Sequence, residues 1–165
     1  MANLIPISTV VVGSGGASAI EFNSIPQSYT DLLLKVSARE SSNSGAMLYY
    51  YNGSTSSFTE RLIQGSGSAV TSANYSGQSA LINMSNTTSN TFGNTEIYIP
   101  NYTSSNHKSS SQDSVTENNA TAASSRLNAT LWSNTAPITS IKIYLDSGQL
   151  IVQHSSATLY GIRKY

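Results

Sequence analysis

Two histidines, eight carboxylates and no cysteine bound the chemistry that these 165 residues can carry. His107 lies in a polar stretch and His154 near the end of a strand-like run, so neither has a second His at the spacing of a zinc or iron site. The absence of Cys removes disulfides, thiolate nucleophiles and thiolate-held metals together. Gly13-Ser14-Gly15-Gly16 follows a strand-like run as a phosphate-binding loop would. No Gly-Lys-Ser/Thr and no helical pattern come after it, however, and it reads as a turn. The nearest string to a nucleophile elbow, Gly77-Gln78-Ser79-Ala80-Leu81, lacks the closing glycine. Asp113 and Glu117 lack the alternating acid pattern of a calcium loop and read as solvated acids. Asp31, Glu60 and Glu96 fall in strand phrases, where no pair can be nominated to flank a glycosidic bond. Asp31 and Glu96 are expected at strand ends, as caps or as partners of Arg39, Arg61 or Arg126. No catalytic residue, metal ligand or cofactor is expected.

What remains is contact chemistry. In Tyr49-Tyr50-Tyr51 the side chains must alternate between the two faces of a strand, so some enter the core and at least one stays outside. An exposed Tyr offers a large amphipathic area to a sugar ring or a subunit. Leu33 points away from Leu32, Leu34 and Val36, which suggests that a neighbouring subunit covers the outer face. Leu33, Tyr49, Tyr51 and Tyr102 are the candidate subunit or sugar contacts.

Ser, Thr and Asn make up well over a third of the chain, and charged residues only 10%. With a net charge of zero, long-range steering toward nucleic acid or an anionic membrane has little to act on. No apolar run approaches a membrane span. Val10-Val11-Val12 before Ala17-Ser18-Ala19 mimics a signal peptide, but no basic segment precedes it, and folding in a reducing cytoplasm is expected. The Asn-x-Ser/Thr sequons at Asn52, Asn74, Asn83, Asn86, Asn101, Asn119 and Asn128 are what such a composition generates by chance.

Chains this polar usually fail to fold, but here the apolar residues recur at every second position, as in Leu32/Leu34/Val36 and Ile141/Ile143/Leu145. Strands are expected over residues 7–12, 19–22, 31–38, 47–51, 59–64, 80–84, 96–99, 126–132, 140–145 with 149–153, and 158–162, with an eleventh around 108–116. Residues 146–148 read as a hairpin turn. Phe22, Leu34, Leu81, Ile97, Leu131, Ile143 and Leu159 are expected in the core, with Trp132 plugging one end. Residues 85–95 and 102–125, polar and nearly without aliphatics, are expected as long rim loops that meet a partner. Together these features give an all-β fold: one domain over 1–165, a two-sheet antiparallel β-sandwich, jelly-roll-like.

Three phrases go further. Ala19-Ile20-Glu21-Phe22-Asn23-Ser24-Ile25-Pro26-Gln27-Ser28-Tyr29-Thr30-Asp31-Leu32-Leu33-Leu34, Glu96-Ile97-Tyr98-Ile99-Pro100-Asn101-Tyr102 and Ala157-Thr158-Leu159-Tyr160-Gly161-Ile162 resemble a group of small tailed-bacteriophage virion proteins. The resemblance implies a structural protein of the virion: a head decoration or cement subunit, or a fibre component. It implies no catalytic residues. Expected partners are the major capsid protein or tail and fibre proteins, further copies of the chain as a homo-trimer, and, for a fibre tip, a host surface glycan.

Overall fold

The computed structural model describes residues 3–119, 123–145 and 148–163. These hold twelve strands: β1 (Asn3–Val11), β2 (Ala19–Phe22), β3 (Asp31–Ala38), β4 (Ala46–Tyr51), β5 (Phe58–Gly65), β6 (Val70–Tyr75), β7 (Ser79–Leu81), β8 (Gly93–Ile99), β9 (Lys108–Val115), β10 (Ser125–Trp132), β11 (Ile141–Leu145) and β12 (Ser156–Arg163). They form two antiparallel sheets, one of eight strands in the order β1-β12-β3-β8-β9-β10-β5-β6 and one of four in the order β2-β11-β4-β7. The chain passes repeatedly from one sheet to the other, as in a jelly roll, but the layers are unequal. The all-β sandwich expected from the two-residue alternation is what forms.

Alternation accounts for the core. Leu32, Leu34, Val36 and Ala38 of β3, Ile97 and Ile99 of β8, and Ala157 and Leu159 of β12 face Ile20 and Phe22 of β2, Met47, Tyr49 and Tyr51 of β4, and Ile141, Ile143 and Leu145 of β11. Each branched side chain on such a face removes apolar area from water without a polar group to satisfy. At one end Phe58 stacks on Trp132, with ring centroids 6.0 Å apart, and Tyr51 meets Trp132 edge-on at 5.6 Å.

Five of the seven expected core residues are buried, but Leu81 and Leu131 point outward and are only half-buried. Their neighbours Ala80, Ile82, Thr130 and Trp132 face inward instead. An apolar residue lies on both faces of each of these strands, so hydrophobicity alone does not set the register.

Two expected elements differ. The run 149–153 does not pair with β11, whose neighbours are β2 and β4. Ile151 instead bridges Ala17 and Glu40, each antiparallel, and sits buried between them. The expected loop over 102–125 gives way to the strand also expected around 108–116: β9 runs through it, paired to β8 and β10. The sequence reading misses β6 altogether, since Val70-Thr71-Ser72-Ala73-Asn74-Tyr75 carries no buried position.

The loop at 85–92 stays irregular, and Arg39 ties it down. Its guanidinium donates to Thr87 Oγ1 and to the carbonyls of Ser85, Thr87, Thr88 and Thr91, at 2.8 to 3.1 Å. Glu40, fully buried, likewise closes the next turn by accepting from Ser42 Oγ, Ser44 Oγ and the Gly45 amide.

Candidate functional site

The four residues expected to meet a partner are all buried within the chain. Tyr49 and Tyr102 are 0% exposed, Tyr51 1% and Leu33 7%. Met47, Tyr49 and Tyr51 share the inward face of β4, and Tyr50 is the outward member, its ring 4.8 Å from Tyr144 and their hydroxyls hydrogen-bonded. Burial pushes the phenols of Tyr49 and Tyr51 upward in pKa. The Tyr102 hydroxyl donates to the Pro26 carbonyl, and its own carbonyl accepts from Ile138, so this ring fastens two crossings together. Leu33 does face outward, but Tyr160 on β12 and Tyr98 on β8 flank it in register, so the chain supplies its own cover. Asp31 accepts from the Tyr98 hydroxyl at 2.8 Å and the Asn101 amide at 2.9 Å, and Glu96 pairs with Lys35 at 2.9 Å. Neither acid meets the arginines expected as partners.

The feature that the sequence does not announce lies between the layers. The small sheet ends at β7, which has three residues, whereas the large sheet continues through β10 and β5 to β6. Apart from Phe58, Leu62 and Trp132, inward positions on this wing are mostly polar. Across the ladder they run Ser110, Thr130, Glu60, Tyr75 in one row and Ser114, Arg126, Gln64, Thr71 in another. Alternation delivers these residues inward as surely as it delivers the leucines of β3, and buried polar groups then require hydrogen-bond partners.

Most find them in one another. Glu60, 1% exposed, accepts from Asn128 Nδ2 and from Ser79 Oγ at 3.2 Å. Gln112 Nε2 donates to the Ser79 carbonyl at 2.7 Å. Burial raises the pKa of the Glu60 carboxyl, opposed by the Ser79 hydrogen bond and the charge of Arg126. Burial also lowers the pKa of Arg126. The Arg126 guanidinium donates to Gln64 Oε1 at 2.6 and 2.9 Å and to Ser79 Oγ at 3.3 Å. Glu60 and Arg126 are nevertheless not joined as an ion pair. Among the described residues the ion pairs are Lys35–Glu96 and Lys142–Glu21, both on the surface.

Both charged groups border an open groove of about 410 Å³ past the β7 edge of the small sheet, where Ala46 and Leu48 of the outward face of β4 also line it. Tyr75, half-exposed at the end of β6, stands on one side, and Gln78 stands on another. Gln78 is 2% exposed, and neither its amide oxygen nor its amide nitrogen has a hydrogen-bond partner within the chain. The signal available in sequence was Phe58-x-Glu60-x-Leu62, where a carboxylate occupies the inward position between two core residues. Nothing comparable marks Gln78 or Tyr75.

The outer face of the large sheet is the second surface of note. One row crosses all eight strands: Thr9, Thr158, Lys35, Glu96, Asp113, Leu127, Ile63, Ser72. Beside it, Val11, Ser156, Ser37, Asn94, Val115, Ser125, Gly65 and Val70 form a row without charge. Apolar side chains gather toward the β6 end, where Ile63 is 57% and Leu127 62% exposed beside a shallow groove of about 570 Å³. No group of three or more metal-binding side chains occurs among the described residues. Comparison with protein-family models, with curated proteins and with solved structures finds no match.

Proposed function

We propose that the protein is a structural subunit of a tailed-phage virion, a decoration or cement protein that stabilises the head by surface contact, without turnover, metal or cofactor. The observation that carries this reading is the outer face of the eight-stranded sheet, broad, low in charge and left uncovered by the chain's own small sheet. Interfaces of hydrogen bonds and apolar patches lose little in salt, unlike surfaces held by exposed ion pairs. The resemblance of the Ala19–Leu34, Glu96–Tyr102 and Ala157–Ile162 phrases to phage virion proteins supplies the particle.

Copies of the chain associate, as a trimer, through Ile63, Leu127 and Val70 at the β6 end of that face. Such a patch, closed by symmetry, is removed from water without leaving an open, polymerising surface. Particles made without this protein should lack density on the head in electron micrographs and be less stable to heating. Loss of fibres with an unchanged head would place the protein on the tail instead, and unchanged particles would end the virion assignment. The purified protein should sediment as a trimer that Leu127→Asp splits into monomers. A parent protein that is already monomeric at micromolar concentration removes the patch from the interface.

A further inference from the structure

We propose that β6 is an open edge for strand addition, and that a second copy of this chain fills it, β6 to β6 and antiparallel across a two-fold axis at Ser72. The contact is made by backbone in the plane of the large sheet, whereas the proposed trimer uses side chains above it, and each stands or falls without the other.

The argument begins with how the chain treats the edges of its two sheets. An unpaired edge invites another strand, and shortness, proline or a bulge discourages one. β2 and β7, the edges of the small sheet, have four and three residues. β1, at one end of the large sheet, carries Pro6 and a register shift between Pro6 and Ser8. β6, at the other end, has neither device. Val70-Thr71-Ser72-Ala73-Asn74-Tyr75 pairs with β5 without a break and holds no proline, glycine or charge. No position on it is buried, so a partner strand can reach the whole of it.

The hairpin fixes which backbone groups face out. The Ser66 amide donates to the Ala69 carbonyl at 3.0 Å, closing the turn, and hydrogen-bonded pairs then recur at every second position of the antiparallel ladder. Thr71, Ala73 and Tyr75 accordingly bond to β5, while Val70, Ser72 and Asn74 turn their N–H and C=O groups to the open side. These outward residues are spaced evenly about Ser72. In an antiparallel pair centred there, Ser72 faces Ser72 and Val70 faces Asn74, so every outward group of both strands is satisfied and each side chain keeps its face of the sheet. A neutral strand also meets no like charge in its copy. The same symmetry makes the outer faces continuous: the row Leu127, Ile63, Ser72 runs on into Ser72, Ile63, Leu127 of the second copy. Each backbone bond gains little net free energy, so the contact is transient in dilute solution and persistent where copies are crowded on one surface.

The test is disulfide trapping in the full chain, which has no cysteine of its own. Ser72→Cys, oxidised with copper phenanthroline at micromolar concentration, should give a covalent dimer on a non-reducing gel. Facing Cα atoms of a hydrogen-bonded pair lie about 5.5 Å apart, within disulfide reach. Asn74→Cys, on the same face of β6, and Ser8→Cys, on the β1 edge, should each be trapped at least about tenfold more slowly, for want of that geometry. A mixture of Val70→Cys and Asn74→Cys should form the mixed dimer faster than either variant dimerises alone. Val70→Pro in the Ser72→Cys chain removes an outward donor and no bond to β5, and should slow trapping about tenfold. Near-ultraviolet circular dichroism checks its fold, and the cysteine comparison decides even if it unfolds. Leu127→Asp, which bears on the trimer, should leave the Ser72→Cys dimer in place. Equal rates for Ser72→Cys, Asn74→Cys and Ser8→Cys mark random collision and overturn the proposal, as does trapping that Leu127→Asp abolishes or that a folded Val70→Pro chain retains in full.

Discussion

The ring of Tyr29 lies directly over Gly161: a Cβ built on the glycine would fall 2.3 Å from Tyr29 Cγ. Arg163, two residues further along β12, places its guanidinium 5.3 Å from the centre of the same ring. Gly161 thus keeps its place by having no side chain, and Tyr29 fills the room so left. Gly161→Ala should lower stability by about 1–3 kcal/mol, as overpacking does. Tyr29→Ala should relieve that strain, so urea denaturation of the double variant should show a loss smaller than the sum of the singles. Strict additivity would show that the ring moves aside freely.

Core truncations should divide by register. Leu34→Ala and Ile143→Ala remove fully buried side chains and should cost about 2–5 kcal/mol. Leu81→Ala and Leu131→Ala, on the outward faces of β7 and β10, should cost clearly less in the same denaturation assay. Equal losses across the four variants would contradict the register of those two strands.

Glu60 gives stability a pH dependence whose sign is set by burial. Because its folded pKa is raised, the folded protein holds this proton more tightly than the unfolded chain does. The stabilisation is complete below the ordinary carboxyl value of 4.5 and is lost as pH rises through the raised folded value. Glu60→Gln removes the titration but keeps an acceptor for Asn128. Relative to the parent, its urea midpoint should therefore rise between pH 4.5 and neutrality. A fall over that interval would mean that hydrogen bonds to the carboxylate outweigh its desolvation.

Arg39→Ala should release the 85–92 loop without unfolding the sandwich, because its donors go to that loop and not to the sheets. Hydrogen exchange should quicken for amides in the loop, including Thr87 and Thr91, which donate to Met84 and Thr88, while β3 and β8 stay protected. Uniform acceleration across the chain would show that the loop is integral to global stability.

The strands that alternate apolar with polar residues were legible from sequence because burial and period agree in them, as in β3, β11 and β12. Burial by polar residues blurred the rest, so that β9 was legible only as an eleventh strand around 108–116 inside a stretch otherwise read as loop. β9 reads Lys-Ser-Ser-Ser-Gln-Asp-Ser-Val and buries Lys108, Ser110, Gln112 and Ser114, so its period is real but written in residues that composition assigns to loops. The contact residues were misplaced for a related reason. Tyr tolerates either face of a strand, and only the pairing of Ile141 with Tyr51 and Ile143 with Tyr49 fixes which tyrosines of the run go in. Glu60 stood in plain view between Phe58 and Leu62, but Gln78 comes from the turn between β6 and β7 and Arg126 from β10, distant in sequence.

The polar lining of β9, β10 and β5 also divides the domain in time. Hydrophobic collapse can draw together β2, β3, β4, β8, β11 and β12, whose facing surfaces are aliphatic and aromatic. It gives far less guidance to Gln112, Ser114, Asn128 and Glu60, whose hydrogen bonds become favourable only once water has been excluded and partners are in register. The wing should therefore form late and open early, joined to the rest by β8 and anchored at one end by Trp132 and Phe58. Substitutions in β3 or β12 should slow refolding, whereas substitutions in β10 or β5 should chiefly hasten unfolding. A molecule assembled in this order can expose its wing briefly while its larger core stays closed.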